Sequence, residues 1–597
     1  MADNEQMSFE FIERKTIKGY PELHWTGKRP YKSTVYYPAQ LKEVYGEPKN
    51  DWMNKIFWGD NLQVMSHLLK DYRGKIDLIY IDPPFDSKAD YKKKIKLRGK
   101  TIENDQSTFE EKQYGDIWTN DEYLQFMYER FVLLKELLSS KGTIYVHCDW
   151  HKCSYLRCVL DEVFGQNNFI NEIAWCYEDI GSRAVNYFKR KHDVILMYGK
   201  SQDRCFNIMR KKLSESTIKR YQSYFDDEGK ITYLALKDTN PGVFKKLKGI
   251  PDDLSEVWLD VNNGAPLSDW WTDISPLKNG FSEATDYPTQ KPEGLIERII
   301  KASSNPGDIV FDCFMGSGTT QAVAMKLGRR FIGADINLGA IQTTTKRLIN
   351  VANELNSQIE NEDKYTGFEV YNVNNYDLFR NPIEARDLIL QALEIQPYET
   401  SNVYDGEKDG RMIKIMPVNR IATKADLQGI LSNLPYKQFE RIKEENPGAV
   451  VLKLTLVCMG HESDLAAALK QELSQYKTDI DVVDILHDRA DLQFKRDSEA
   501  DIVIEGNELV IKNFYPLNLM QKLSLDKETV DEWRQLVESV MIDFNYDGAV
   551  MQPTTIDLPD KDKMVAGRYK IPSDAGIIRV KITDVLSESL EVEVQNG

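Results

Sequence analysis

Cysteine is scarce in this chain: seven residues in 597, at Cys148, Cys153, Cys158, Cys176, Cys205, Cys313 and Cys458. An odd number at scattered positions argues against a disulfide framework and fits a reducing compartment. Long apolar runs are missing too. None approaches the ~20 residues that span a bilayer, and no signal-peptide pattern opens the chain. The expectation is a cytoplasmic protein with no membrane association. Metal-ligand spacing is also absent. The stretch His147-Cys148-Asp149-Trp150-His151-Lys152-Cys153 gathers two histidines and two cysteines, yet no Cys-x-x-Cys pair accompanies it, and its first half continues the apolar strand Thr143–Val146. No metal is expected there.

Positive charge is in deficit, with 77 Lys and Arg against 94 Asp and Glu, a net of −17. That balance excludes a uniformly basic polyanion binder. The deficit is uneven, however: residues 371–597 carry −14 and residues 1–370 only −3. Residues 183–250 hold 16 basic against 7 acidic side chains, and residues 88–100 hold 7 against 1. Binding to phosphates depends on such local neutralisation rather than on total charge.

What is present is first of all Asp82-Pro83-Pro84-Phe85, directly after the apolar strand Asp77–Ile81. This tetrapeptide suits one chemistry, alkylation of an exocyclic amine on a heteroaromatic ring. Such an amine is a poor nucleophile. A carboxylate that accepts one N–H, with a backbone carbonyl that accepts the other, pushes lone-pair density outward. Prolines fix φ near −65° and remove competing N–H donors, so the carbonyls stay aimed. The aromatic ring can stack on the base. As a short motif it reads equally well as a turn after a buried strand.

A second signal lies in Gly307–Thr320, where the sequence GDIVFDCFMGSGTT reads as strand, glycine turn and helix start. A helix over 321–327 leads to a second strand, Phe331–Asp335. The acid that ends this strand stands at the offset expected for ribose recognition. The turn lacks the third glycine of a dinucleotide fingerprint and the Lys-Ser/Thr of a P-loop, so no phosphate cradle is required. A ligand with a ribose and an amino-acid tail, S-adenosylmethionine, fits that description.

Together these features resemble the amino-group DNA methyltransferases of β-type order, closest to the adenine methylase (Mod) subunits of type III restriction–modification systems. Trp58-Gly59-Asp60-Asn61 matches the family's Gly-Asp-Asn strand end, and Tyr287-Pro288-Thr289-Gln290-Lys291-Pro292 matches its Thr-Gln-Lys-Pro segment. The departure is Phe85 where Tyr is commoner. The resemblance implies an α/β fold: a Rossmann-like S-adenosylmethionine-dependent methyltransferase sheet with an inserted target-recognition domain and a C-terminal α+β domain. Catalytic residues would be Asp82, Pro83, Pro84 and Phe85. Cofactor contacts would come from Asp60, Phe311, Asp312, Phe314, Gly316, Ser317, Gly318, Thr319, Asp335 and Asn337.

The chain divides accordingly into an N-terminal arm (1–50), the catalytic half of the core (51–170), the target-recognition domain (171–280), the cofactor half (281–370) and the C-terminal α+β domain (371–597). Helical spacing predicts helices over 122–138, 155–164 and 339–355. In the recognition segment, Trp270-Trp271 reads as buried core more readily than as a base-contact wedge. The acidic tail reads as a surface for dimerisation or for docking a helicase–nuclease restriction subunit. Its Asp479, Asp481, Asp484 and Lys512 invite a nuclease reading, but no Glu-x-Lys strand follows a suitable Asp. The function implied is transfer of a methyl group to N6 of a flipped adenine in double-stranded DNA. The alternatives are N4 of cytosine, an adenine in RNA, or an inactive DNA-specificity subunit.

Overall fold

The computed structural model describes residues 8–11, 22–84, 90–96, 108–115, 120–177, 188–277, 289–357, 364–373, 404–416, 424–446, 448–458, 465–484, 498–517, 532–560, 563–586 and 588–595, with isolated positions at 186, 281, 283–285, 287, 386, 389–390, 393, 395–398, 422, 519–520 and 530.

Ten strands build one central mixed sheet. In chain order they are Gln40–Tyr45 (β1), Asn54–Trp58 (β2), Ile76–Ile81 (β3), Leu138–Cys148 (β4), Phe169–Cys176 (β5), His192–Gly199 (β6), Trp270–Trp271 (β7), Ile309–Asp312 (β8), Arg330–Asp335 (β9) and Phe368–Asn372 (β10). Their spatial order is β7-β5-β6-β4-β3-β8-β9-β2-β10-β1. From β4 to β10 the six strands run parallel. Outside them, β6 is antiparallel to β4 and β5, and β1 is antiparallel to β10. The strands Phe169–Cys176 and His192–Gly199 fall in the segment the sequence groups with target recognition, yet both hydrogen-bond into this sheet. His192–Gly199 follows Phe169–Cys176 as its antiparallel neighbour, a return that needs no crossover helix.

Six helices cover the two faces: Asn61–Tyr72 (α1), Asn120–Leu137 (α2) and Cys153–Phe164 (α3) on one, Glu293–Ser303 (α4), Thr319–Lys326 (α5) and Leu338–Asn356 (α6) on the other. The alternation of strand side chains sorts them between two cores. Ile79 and Ile81 pack toward α1–α3, while Leu78 and Tyr80 pack toward α4–α6. In α4, Leu295, Ile296, Ile299 and Ile300 are fully buried. At about 1.5–3 kcal/mol each, they seat the helix against the sheet.

Chain direction explains where a ligand can bind. From β3 the chain goes through α2 to β4, and from β8 through α5, on the other face, to β9. Neighbouring β3 and β8 therefore lead away from each other, and a crevice opens at their carboxyl ends. Ligands of open α/β sheets bind at such a switch point.

The segment between β6 and β7 has its own small core of Tyr221, Ile231 and Leu236. The tryptophan pair divides: Trp271 is buried at 7% exposure and Trp270 stands out at 57%. Strand alternation forces that split, and only Trp271 is core. Beyond β10, Arg411–Ile415, Leu452–Cys458 and Thr478–Asp484 form a parallel unit. There Asp479 accepts from Arg411 rather than joining an acidic cluster. The last part is antiparallel, with Val537–Asp543 and Ile577–Asp584 at its centre. It docks on β1. Val44 donates its N–H to the Met551 carbonyl at 3.0 Å, and Met551 donates to the Lys42 carbonyl at 2.9 Å. That covers an edge strand which would otherwise present unpaired backbone groups. Among the described residues, no helix is long and apolar enough to cross a membrane.

Candidate active site

The carboxyl ends of β3, β8, β9 and β2 lie side by side, and each leads to an aspartate: Asp82, Asp312, Asp335 and Asp60. Strand pairing thus gathers four acids spread over 276 residues of sequence onto one edge.

Asp312 is almost fully buried and committed to the glycine turn. Its Oδ1 accepts the Phe314 N–H at 3.0 Å, and its Oδ2 accepts the Thr320 hydroxyl at 2.7 Å. Burial pushes this carboxyl up to about 7, against those two hydrogen bonds, with the charges of Asp82 and Asp335 adding to the rise. Asp335 lies nearer the surface. It accepts the Gly316 N–H on Oδ2 and the Asn337 N–H on Oδ1, both at 2.8 Å. Desolvation nevertheless pushes it up to about 6. The Ile336 N–H bonds this carboxylate as well, and of its about four lone-pair sites about one remains for a ligand.

The turn holds two left-handed glycines, Gly316 (φ 52°) and Gly318 (φ 71°). A Cβ on Gly318 would stand 2.5 Å from Thr344 Cγ2, and one on Gly316 would press on the Tyr287 ring at 3.3 Å. Both positions need glycine for backbone angle and for room. Arg347 fastens the turn from beneath: it donates to the Ser317 carbonyl at 3.3 Å, to Thr319 Oγ1 at 2.9 Å and to Glu293 at 2.7 Å.

Asp60 caps α1, accepting the Leu62 N–H at 2.9 Å. Its other oxygen takes a 3.2 Å bond from the buried guanidinium of Arg130, which also donates to Asn61 Oδ1 at 2.6 Å and lies over the Phe126 ring at 3.3 Å. Phe126 in turn approaches Phe314, half-buried at the turn, with centroids 6.2 Å apart. Nothing in the sequence singled out Arg130; a basic residue at an inward position of an amphipathic helix was the available signal.

Asp82 is arranged differently. The Lys291 ammonium holds its Oδ2. Its Oδ1 is buried and has no hydrogen-bond partner among the described residues. Pro83 is buried and Pro84 half-buried behind it; Phe85 lies outside the described residues. Next to Asp82, on the same face, Tyr80 bonds His147 Nδ1 at 2.9 Å, and His147 Nε2 meets Asp193 Oδ2 at 3.2 Å. Tyr177 donates to the other Asp193 oxygen at 3.1 Å. His147, conspicuous in the sequence, is thus tied to a tyrosine and a carboxylate.

Of the expected cofactor residues, Phe311 stands apart. Its side chain is fully buried among the apolar residues toward α1–α3. Strand alternation turns it away from the face that Asp312 shares with Val310, so it packs the core instead of facing the crevice. Ser317, Gly318, Thr319 and Asn337 are also buried and shape the turn from below. Asp335, Gly316 and Phe314 lie closer to the crevice. The mouth offers carboxylates and main chain for hydroxyls, while Arg347, the cation under the turn, is spent on Ser317, Thr319 and Glu293. This donor set fits a ribose-bearing ligand without phosphate.

Comparison with known proteins places the same segment. The N6_N4_Mtase family, described as DNA methylase, matches residues 76–346. The Type II methyltransferase M1.MboII of Moraxella bovis is 30% identical over 290 residues, covering 48% of this chain and 90% of that protein. The Type III restriction-modification enzyme StyLTI Mod subunit of Salmonella typhimurium is 26% identical over 346 residues, covering 49% of this chain and 53% of that protein. Among solved structures, the M1.HpyAVI–SAM complex aligns at 20% identity and a TM-score of 0.29, over 49% of this chain and 98% of that one.

Proposed function

This chain belongs to the N6/N4 amino-group DNA methyltransferases, and from that premise we propose that it methylates N6 of an extrahelical adenine in duplex DNA with S-adenosylmethionine as donor. One observation carries the proposal: Asp82 Oδ1 is a buried acceptor that no described residue serves, while Oδ2 is already held. A buried acceptor left without a donor costs about 1–3 kcal/mol. An incoming N–H relieves that cost.

The chain's own residues act as follows. Asp82 Oδ1 accepts one amino hydrogen and the Pro83 carbonyl the other, which directs the nitrogen lone pair away from both. Neither proline has an N–H that competes for these acceptors. Phe85 stacks on the base. Extrusion of the base costs a few kcal/mol of unstacking and unpairing, offset by these contacts and by basic groups of the recognition segment on the phosphates. Asp335 accepts a ribose hydroxyl of the donor, and Gly316 and Phe314 border it. S-adenosylmethionine, when bound, supplies a methyl group on a positively charged sulfur. Asp82 Oδ1 then receives the proton released from the alkylated nitrogen. Rate enhancement comes mainly from orientation and preorganised charge. The choice of adenine over cytosine rests on resemblance to the family, in which Asp as first residue of the motif leans toward adenine.

Likeness to a Mod subunit supports a restriction subunit as partner, with the acidic C-terminal region as its docking surface. The catalytic reading is tested with Asp82→Ala. Methyl transfer from tritiated S-adenosylmethionine to unmodified genomic DNA should fall at least ~10³-fold, while calorimetric binding of S-adenosylmethionine persists. Retained transfer would reject the mechanism.

A further inference from the structure

The Lys291–Asp82 pair joins residues 209 apart in sequence and belongs to neither half of the site alone. Lys291 lies on a strap that leads into α4, and that strap is tied down at several points. The Gln290 side-chain oxygen accepts the Thr285 N–H at 2.9 Å and its hydroxyl at 2.6 Å, and Gln290 Nε2 donates to the Glu283 carbonyl at 2.7 Å. The Glu283 carboxylate takes the Glu293 N–H at 2.7 Å, at the first residue of α4. Thr289 has φ 64°, a left-handed conformation that a β-branched residue adopts only when its surroundings impose it. The Lys291 carbonyl accepts the Thr319 hydroxyl at 3.4 Å, which links the strap to the glycine turn. Strain and cross-ties therefore converge on bringing the Lys291 ammonium to Asp82 Oδ2, with a second, longer bond to the Thr289 carbonyl at 3.4 Å.

A carboxylate has two equivalent oxygens and a softly rotating terminal torsion. Binding one oxygen to a cation removes that freedom. Asp193, on the same sheet face as Asp82, lies within electrostatic reach of Lys291 and is fixed by His147 and Tyr177. Burial works to raise the Asp193 carboxyl, but the hydrogen bond and charge of His147, with that of Lys291, pull it below its ordinary value. The ammonium is thus bonded to Asp82 and feels the charge of Asp193 as well.

We propose that Lys291 is a positioning residue for methyl transfer: by holding Asp82 Oδ2 it presents Oδ1 alone to the amino group of the base. The inference rests on the reading that Asp82 grips that amino group. Lys291 touches neither donor nor base in this role and acts through Asp82.

The test uses the full chain with Lys291→Met, Lys291→Gln and Lys291→Arg. Initial rates are measured with tritiated S-adenosylmethionine on unmodified genomic DNA, alongside calorimetric binding of S-adenosylmethionine and thermal melting. Lys291→Met should bind the donor and hold its KM for DNA within about threefold of the parent, while kcat falls about 100-fold. Lys291→Arg should recover about tenfold of that loss, because it restores a cation. Should Lys291→Met fail to fold, Lys291→Gln, which keeps a donor without the charge, should still lose kcat with KM unchanged. Parental kcat in a folded Lys291→Met or Lys291→Gln protein would overturn the role. So would a loss confined to donor affinity, which would place Lys291 at the cofactor. No methyl transfer by the parent would instead sink the functional reading, and this inference with it.

Discussion

Charged side chains behave differently at the carboxyl edge of the central sheet and in the region after residue 371. In the latter, several acids and bases form closed pairs, although acids outnumber bases by 14 over residues 371–597. Arg411 meets Asp479, Arg568 meets Glu505 and Glu508, and Arg579 meets Glu591 and Glu593. At the sheet edge Asp60 and Asp82 also meet cations, Arg130 and Lys291, but Asp312 and Asp335 rest on N–H and hydroxyl donors, and one oxygen of Asp82 has no partner among the described residues. Closed pairs hold a surface together. Carboxylates fixed by uncharged donors keep lone pairs for a ligand, and in the proposed mechanism the half-open Asp82 at this edge is where chemistry takes place. Net charge alone would have pointed away from a nucleic-acid enzyme, because it averages these two regions.

Where the C-terminal region docks on β1, an outermost strand of the sheet, pairing becomes an energetic statement. Lys581, from the C-terminal region, pairs with Glu43 on β1, both nearly buried, and Tyr45 donates to the same carboxylate at 2.7 Å. Lys581→Met should destabilise the protein by about 3–5 kcal/mol, since Glu43 is left buried without its cation. Adding Glu43→Gln should return much of that. Urea unfolding reads both, and an undiminished midpoint in the single variant would remove the pair from the docking account.

Gly318→Ala probes the edge itself. A left-handed Ala with its Cβ against Thr344 should cost roughly 2–3 kcal/mol and weaken donor binding. Pairing it with Thr344→Gly should recover the steric part alone. Equal stability of parent and Gly318→Ala would show that the turn does not need its glycine.

Asp312 provides a pH test. Its native value is about 7, against about 3.9 when unfolded. Between the two, the folded chain holds a proton that the unfolded chain has released, so stability drops as pH rises through this window. Asp312→Asn should flatten that slope and exceed the parent at pH 8, by on the order of 2 kcal/mol. Unfolding curves at pH 5 and pH 8 decide it; an unchanged slope would contradict the assignment. The smallest effect belongs to the paired surface. Arg568→Ala should move the melting temperature by less than about 2 °C at physiological salt. A larger drop would mean that the C-terminal pairs hold more than a solvated face.

Much of this was legible beforehand because strands, helix periodicity and the glycine turn are local signals. The helix expected over 122–138 is Asn120–Leu137, and that over 339–355 is Leu338–Asn356. The four edge acids were named as well. Partners made by long-range pairing were not legible. Nothing in the order of residues joins Lys291 to Asp82, or Arg130 to Asp60, until β3, β8, β9 and β2 stand side by side. Local patterning likewise gave no sign that Phe169–Cys176 and His192–Gly199 extend the central sheet, since edge pairing is decided by the neighbour strand. Phe311 looked like a ligand contact because it borders the motif, while alternation along β8 turns its ring into the core.

The central claim is amino-group methylation of adenine directed by Asp82. Nucleoside mass spectrometry of unmodified genomic DNA, incubated with S-adenosylmethionine and either the parent or the Asp82→Asn protein, tests it most directly. The account predicts N6-methyladenine with the parent and none with Asp82→Asn. N4-methylcytosine in its place, no modified base at all, or N6-methyladenine from both proteins would contradict it.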